Sequence, residues 1–276
     1  MKNIPSLNTA ALLKQHGLYA NKKFGQNFLE DSSALENIVR AAEILDSDSV
    51  LEIGPGLGSL TRHLAASARE VVAVELDEKL IPVLRGLLKP YANIRLIHAD
   101  ILDLSPKELN LTPDYIVAAN IPYNITSAII RHLLESDPKP RRIVLTIQKE
   151  VAERICEIPP DMSLLALSVQ VYGWPFIAAQ IPASAFFPAP KVDSAVVKIE
   201  IRPEPSIPIP LLPTFFKLIK AGFSQKRKTL RNSLSAGLHI QPAEAESLLK
   251  RGEIDPRRRA ETLSMDEWSA LCGQYK

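Results

Sequence analysis

The chain has 276 residues, 46% of them hydrophobic, and its 33 Lys/Arg against 31 Asp/Glu leave a net charge of only +2. That length buries a substantial core and suits one large domain with a small one. Only two cysteines occur, Cys156 and Cys272, far apart and in no metal-ligand spacing, which argues against a disulfide framework or a zinc centre and fits a reducing cytoplasm. No run of about 18 apolar residues is present to cross a membrane. Met1 to Ala20 lacks the uninterrupted apolar core of a signal peptide. The charge is unevenly spread: residues 215–276 hold 12 Lys/Arg against 7 Asp/Glu, and the remainder 21 against 24. A basic C-terminal part on a mildly acidic body suits a polyanionic partner, or is simply a solvated helical surface.

Residues 32–45 read as an amphipathic helix, with Asp31 and Ser32 available as N-cap. Strand and helix patterns then alternate. Val50 to Ile53 precedes a glycine turn and a helix over about 58–68, and Val71 to Glu75 precedes a helix over about 77–89. Ile94 to His98 and Tyr115 to Ala119 predict the third and fourth strands, with a helix near 125–135 after the latter. Arg142 to Ile147 is the fifth, followed by a helix from Gln148. Short apolar runs separated by helices describe an α/β, doubly wound, Rossmann-like sheet with a parallel core. Leu164 to Tyr172 and Ala195 to Ile201 read as a closing antiparallel pair joined by a proline-rich loop. The proline-dense stretch 203–213 then ends the strand pattern. A catalytic domain over 1–204, with an N-terminal helical extension, and a small all-helical domain over 205–276 are expected.

Glu52-Ile53-Gly54-Pro55-Gly56-Leu57-Gly58 lies between the first strand and its helix, where glycines let the backbone approach a ligand or simply shape the turn. The dinucleotide fingerprint requires G-x-G-x-x-G, whereas here Ser59 follows G-x-G-x-G, which disfavours a nicotinamide oxidoreductase. A nucleoside-like ligand held by carboxylates fits better. Glu75 ends the second strand, where it can take both ribose hydroxyls, and Asp100 ends the third, where it can accept from an adenine amine. Such an acidic pocket also suits the cationic sulfur of S-adenosylmethionine.

The fourth strand runs into Asn120-Ile121-Pro122-Tyr123. Taken alone this is a plausible turn. Placed after the glycine loop and the two carboxylates, it reads as a grip for adenine. The N6 lone pair of adenine is delocalised into the ring, so a site that methylates N6 must accept hydrogen bonds from both N6 protons. Asn120 offers its amide oxygen. Pro122 biases Ile121 toward an extended backbone that can present a second carbonyl. Tyr123 offers a stacking face, worth about 1–3 kcal/mol.

Five separated motifs in this order resemble the KsgA/RsmA family of ribosomal RNA small-subunit adenine dimethyltransferases, and more widely the Erm resistance methylases. They are Lys23-Phe24-Gly25-Gln26-Asn27-Phe28-Leu29; Glu52 to Gly58 with Glu75 and Asp100; Asn120 to Tyr123; Phe186-Phe187-Pro188-Ala189-Pro190-Lys191-Val192-Asp193-Ser194; and Phe223 to Asn232. The resemblance implies cofactor contacts from Asn27, Leu29, Gly54, Gly56, Glu75, Asp100 and Asn120. It implies a flipped adenine held between Tyr123 and Phe186, with Lys226, Arg227, Lys228 and Arg231 on a basic RNA-binding helix. The usual Arg-Arg-Lys reads Lys226-Arg227-Lys228 here, which keeps the charge but loses some bidentate phosphate geometry. The implied product is N6,N6-dimethyladenosine at two adjacent adenosines in a hairpin near the 3′ end of 16S rRNA. A small-subunit precursor would be the partner, and the protein a cytoplasmic monomer without metal. The rival readings are an Erm-type enzyme acting on 23S rRNA and a non-catalytic RNA-binding assembly factor.

Overall fold

The computed structural model describes residues 4–275, so residues 1–3 and 276, the outer ends of the two expected domains, lie outside the described residues. Along the chain, helix α1 (Thr9–Gln15) leads to a two-residue strand β1 (Phe28–Leu29). Helix α2 (Ser32–Ala42) follows, capped by Asp31, whose Oδ1 accepts from Ala34 N at 2.7 Å. Then come β2 (Ser49–Ile53), α3 (Ser59–Ala65), β3 (Glu70–Glu75), α4 (Ile81–Leu88), β4 (Ile94–His98), β5 (Ile116–Asn120), α5 (Thr126–Glu135), β6 (Arg142–Gln148) and α6 (Lys149–Ile155). The later elements are α7 (Leu164–Gln170), β7 (Gly173–Ile181), β8 (Phe186–Phe187), β9 (Ser194–Ile201), α8 (Leu212–Gly222), α9 (Leu230–Leu238), α10 (Pro242–Arg251) and α11 (Met265–Gln274).

Seven strands form one sheet in the order β4-β3-β2-β5-β6-β9-β7, while β1 and β8 make a separate antiparallel pair. The five strands from β4 to β6 are parallel and β9 runs antiparallel to β6. Every residue of β2 is buried, as is expected of a strand covered on both faces. Leu35 and Ile38 of α2 pack with Val50, Ile116, Val144 and Val196 from the sheet. Glu43, just past α2, forms ion pairs with Arg142 at 2.8 Å and Lys198 at 2.6 Å, tying that helix end to β6 and β9.

The expected strand over Leu164 to Tyr172 is a helix, α7. Ser163 caps it, accepting from Ala166 N at 3.0 Å. A short apolar run suits a buried helix as well as a strand, and periodicity does not separate the two. The partner of β9 is instead β7, inside the stretch expected to be a proline-rich loop. As the edge strand, β7 has one side outside the ladder, and Pro175 is tolerated in such a strand.

Two compact units divide the chain, one comprising residues through Ala152 with Phe176–Ile201, the other Glu153–Pro175 with residues from Arg202 onward. Residues 153–175 thus group with the C-terminal helices, rather than all of 1–204 forming one unit. In that second unit α8 and α9 approach closely: a Cβ on Gly237 would lie 2.5 Å from the Ala221 Cα. Trp268, fully buried, fills the space beside Gly222.

Candidate active site

Strand order reverses between β2 and β5, since β2 continues to β3 and β4 on one side while β5 continues to β6 on the other. Open α/β sheets bind ligands at such a switch point, beyond the carboxyl ends of the strands. A cavity of about 220 Å³ lies there, lined by the loop after β2, the ends of β3 and β4, the Asn120–Ile125 turn after β5, and the segment Lys23–Leu29.

Gly54 and Gly56 both adopt left-handed backbone, at φ 67° and 62°. Around Gly54 a Cβ would meet nothing within 4 Å, so this backbone is open to a ligand. At Gly56 a Cβ would come within 2.9 Å of the Phe28 ring, so glycine is required there for packing. Glu75 is buried beneath this loop; its Oε2 accepts from Gly56 N at 2.9 Å and its Oε1 from Asp77 N at 2.8 Å. Burial raises the Glu75 carboxyl above its usual range, and these two N–H groups oppose the shift. Asp100 accepts from Leu102 N at 2.9 Å through Oδ1 and lines the cavity.

A third carboxylate was not singled out from the sequence. Glu52, 1% exposed, lines the same cavity, and its Oε2 lacks a hydrogen-bond partner among the described residues. Burial pushes its pKa up to about 8, and the neighbouring Glu75 adds to the rise. The available signal was its place two residues before the glycine loop. An orphaned, charge-starved carboxylate of this kind is complementary to a cationic ligand group.

The segment before α2 closes one side of the cavity. Gln26 Nε2 donates to Asp77 Oδ2 at 2.8 Å, and the Asn27 carbonyl accepts from Asn120 Nδ2 at 3.0 Å. Leu29 is 3% exposed and also lines the cavity. With its N–H committed to Asn27, the Asn120 amide keeps its oxygen for an incoming donor. Ile121 buries its side chain, leaving its backbone as what it offers the cavity. The ring of Tyr123 is half-buried, and its hydroxyl lies 2.6 Å from Ser194 Oγ.

Phe186 is not brought to this cavity. It is 4% exposed, pairs with Leu29 across the β1–β8 ladder, and packs in the core with Leu35 and Val196. Side chains alternate along a strand, so its neighbour Phe187 is the one turned outward, 37% exposed. As it is placed here, Phe186 is buried and does not line the cavity that Tyr123 lines. Lys226, Arg227 and Lys228 lie in the exposed turn between α8 and α9 rather than on a helix, because Thr229 is extended and restarts the helix at Leu230. None of the three has an ion-pair partner among the described residues. Arg231, in the first turn of α9, pairs with Glu246 at 3.3 Å. Among the described residues no group of His, Cys, Asp and Glu is arranged to hold a metal, and no helix is long and apolar enough to cross a membrane.

Solved structures share this arrangement. The 23S rRNA methyltransferase ErmE is 28% identical with a TM-score of 0.73, over 90% of this chain and 99% of that one. A dimethyladenosine transferase from Plasmodium falciparum is 27% identical with a TM-score of 0.74, over 88% and 95% of the two chains. Fold and site together are those of a Rossmann-like methyltransferase. The model of the family described as "Ribosomal RNA adenine dimethylase" matches residues 17–275. Ribosomal RNA small subunit methyltransferase A from Dehalococcoides mccartyi is 48% identical over 98% of this chain and 94% of its own length. The protein of that name from a Geobacillus species is 40% identical over 95% and 94%. The chain belongs to the ribosomal RNA adenine dimethylase family.

Proposed function

We propose that the protein uses S-adenosylmethionine to dimethylate N6 of two adjacent adenosines in a hairpin near the 3′ end of 16S rRNA, acting in the cytoplasm on a small-subunit precursor. One observation carries the reading: Glu52, Glu75 and Asp100 face the same cavity as Asn120 and Tyr123. The cofactor, when bound, supplies an electrophilic sulfonium methyl group. Glu75 and Asp100 are the acceptors for its ribose hydroxyls and adenine amine, and the free Oε2 of Glu52 suits its ammonium. The open backbone at Gly54 permits close approach, while Gly56, Asn27 and Leu29 complete the wall.

The protein groups then act on the target base. In the first transfer Asn120 Oδ1 and the Ile121 carbonyl accept the two N6 protons, which directs the nitrogen lone pair toward the methyl group; in the second, the one N6 proton that remains is accepted and the first methyl group takes the other place. Pro122 biases Ile121 toward an extended backbone, and Tyr123 provides the stacking face. Phe186 supports Leu29 from the core. The gain comes from positioning and from acceptor dipoles that stabilise positive charge on N6. No strong base is needed, because the alkylated nitrogen is acidic enough to lose its proton to water. Lys226, Arg227, Lys228 and Arg231 supply phosphate contacts that place the RNA without reading its sequence.

The relatives at 40–48% identity bear the small-subunit name, which favours 16S over 23S rRNA as the substrate. The test is transfer from labelled S-adenosylmethionine to under-methylated small-subunit particles, naked 16S rRNA and 23S rRNA, with products digested to nucleosides. Dimethyladenosine from the small-subunit substrates is expected. Label confined to 23S rRNA would transfer the assignment to the large subunit, and no dimethyladenosine from any substrate would overturn it.

A further inference from the structure

The first 29 residues contain four lysines and no Asp or Glu, whereas residues 30–214 hold 17 Lys/Arg against 24 Asp/Glu. Three of those carboxylates, Glu52, Glu75 and Asp100, line the cavity. A polyanion entering such a site meets repulsion unless cations stand at the point of entry. The N-terminal segment is placed to provide them. Lys23 is among the residues at the cavity, and Lys22 and Lys23 open a 3₁₀ turn over Lys22–Phe24.

The backbone of that turn is anchored. Asn21 Oδ1 accepts from Lys23 N at 2.9 Å, Asn21 N donates to Gln26 Oε1 at 2.8 Å, and Gln26 donates in turn to Asp77 at 2.8 Å. The lysine side chains are exposed, and neither forms an ion pair among the described residues. Two residues before Asn21, Tyr19 is 89% exposed, the most exposed of the large apolar side chains. One exposed tyrosine alone means little. An exposed aromatic three residues before two unpaired lysines on an anchored turn supplies the groups that hold single-stranded nucleic acid, by stacking a base and neutralising adjacent phosphates.

We infer that Tyr19, Lys22 and Lys23 form a second RNA contact at the cavity, which grips the strand flanking the adenosine being methylated. This inference rests on the proposed reading that the substrate is RNA. It divides RNA recognition between the N-terminal segment and the Lys226–Lys228 turn. The N-terminal contact acts on the strand that must open to release the target base, so it affects the single-stranded region in particular.

The experiment uses the full chain and a 16S-derived hairpin RNA, with affinity measured over a salt series and S-adenosylmethionine binding measured separately by equilibrium dialysis. Lys22→Glu with Lys23→Glu is expected to weaken RNA binding at least tenfold. It should also flatten the plot of log affinity against log salt by about 1.4, at about 0.7 per single-strand phosphate. Lys22→Arg with Lys23→Arg should restore both. Tyr19→Ala should lower RNA affinity about tenfold with the salt slope unchanged. Cofactor affinity should stay within about twofold of wild type throughout. Wild-type RNA affinity and slope in the double charge reversal would overturn the inference, as would a parallel loss of cofactor binding, which would mean that the segment acts only through the fold. If the unmodified protein transfers no methyl group to any rRNA, it is the underlying reading that fails.

Discussion

The Tyr123 hydroxyl and the Ser194 hydroxyl lie 2.6 Å apart, joining the turn after β5 to the first residue of β9. Ser194 is completely buried, and burial raises the Tyr123 phenol above its ordinary pKa. The bond therefore fixes the ring orientation rather than preparing a proton for transfer. Ser194→Ala and Tyr123→Phe should each lower the rate of methyl transfer about tenfold, the worth of about one hydrogen bond, with cofactor affinity unchanged. Because both remove one shared bond, the double variant should be no slower than either single one. Multiplying losses in single-turnover assays would show that the two residues act independently.

Asn120 is fixed by its bond to the Asn27 carbonyl, at 3.0 Å. In the proposed mechanism Asn120→Ala removes an acceptor aimed at charge developing on N6, and a fall in transfer of at least about 100-fold is expected. Cofactor binding should weaken only modestly. Near-normal turnover, measured with labelled cofactor under single-turnover conditions, would refute the acceptor geometry.

In the proposed site Glu52 ties cofactor affinity to pH-dependent stability. Burial raises its carboxyl to about 8 in the folded protein, from an ordinary value of 4.5. Below the unfolded pKa it is protonated in both states. As pH rises from 4.5 toward 8 the unfolded chain loses the proton and the folded chain retains it, so stability declines across that window. Glu52→Gln should reduce the difference in melting temperature between pH 5 and pH 8 in the cofactor-free protein, while weakening S-adenosylmethionine binding. An unchanged difference between the two melts would show that Glu52 is ionised in the folded state.

Lys226, Arg227 and Lys228 are exposed. Reversing all three charges should weaken RNA binding and flatten its salt dependence by about 2, at about 0.7 per single-strand phosphate. Melting temperature should hold, since none of the three is packed. A salt slope equal to wild type would make the turn an ordinary solvated surface.

Much of the architecture was legible in the chain because it depends on local rules. Asp31 caps α2 where the sequence indicates, and Ile94 to His98 is a strand with the expected bounds. Leu164 to Tyr172 was not legible, since an apolar run of that length buries equally well in either conformation and its neighbours decide. The same limit applies to Phe186 and Phe187: two adjacent aromatics differ only in which side of β8 they face. The break at Lys226–Lys228 escaped for a related reason, because basic residues accommodate both helix and turn.

By itself the sequence determined the alternation of strands and helices through the fifth parallel strand, the glycine loop, and the carboxylates at successive strand ends, all of which follow from periodicity and spacing along the chain. Only the tertiary structure decided that Glu52 Oε2 is left without a hydrogen-bond partner among the described residues, that Asn27 orients Asn120, and that Ser194 holds Tyr123. Those relationships join residues up to 93 positions apart. They depend on burial and on distances of about 3 Å that no local pattern encodes.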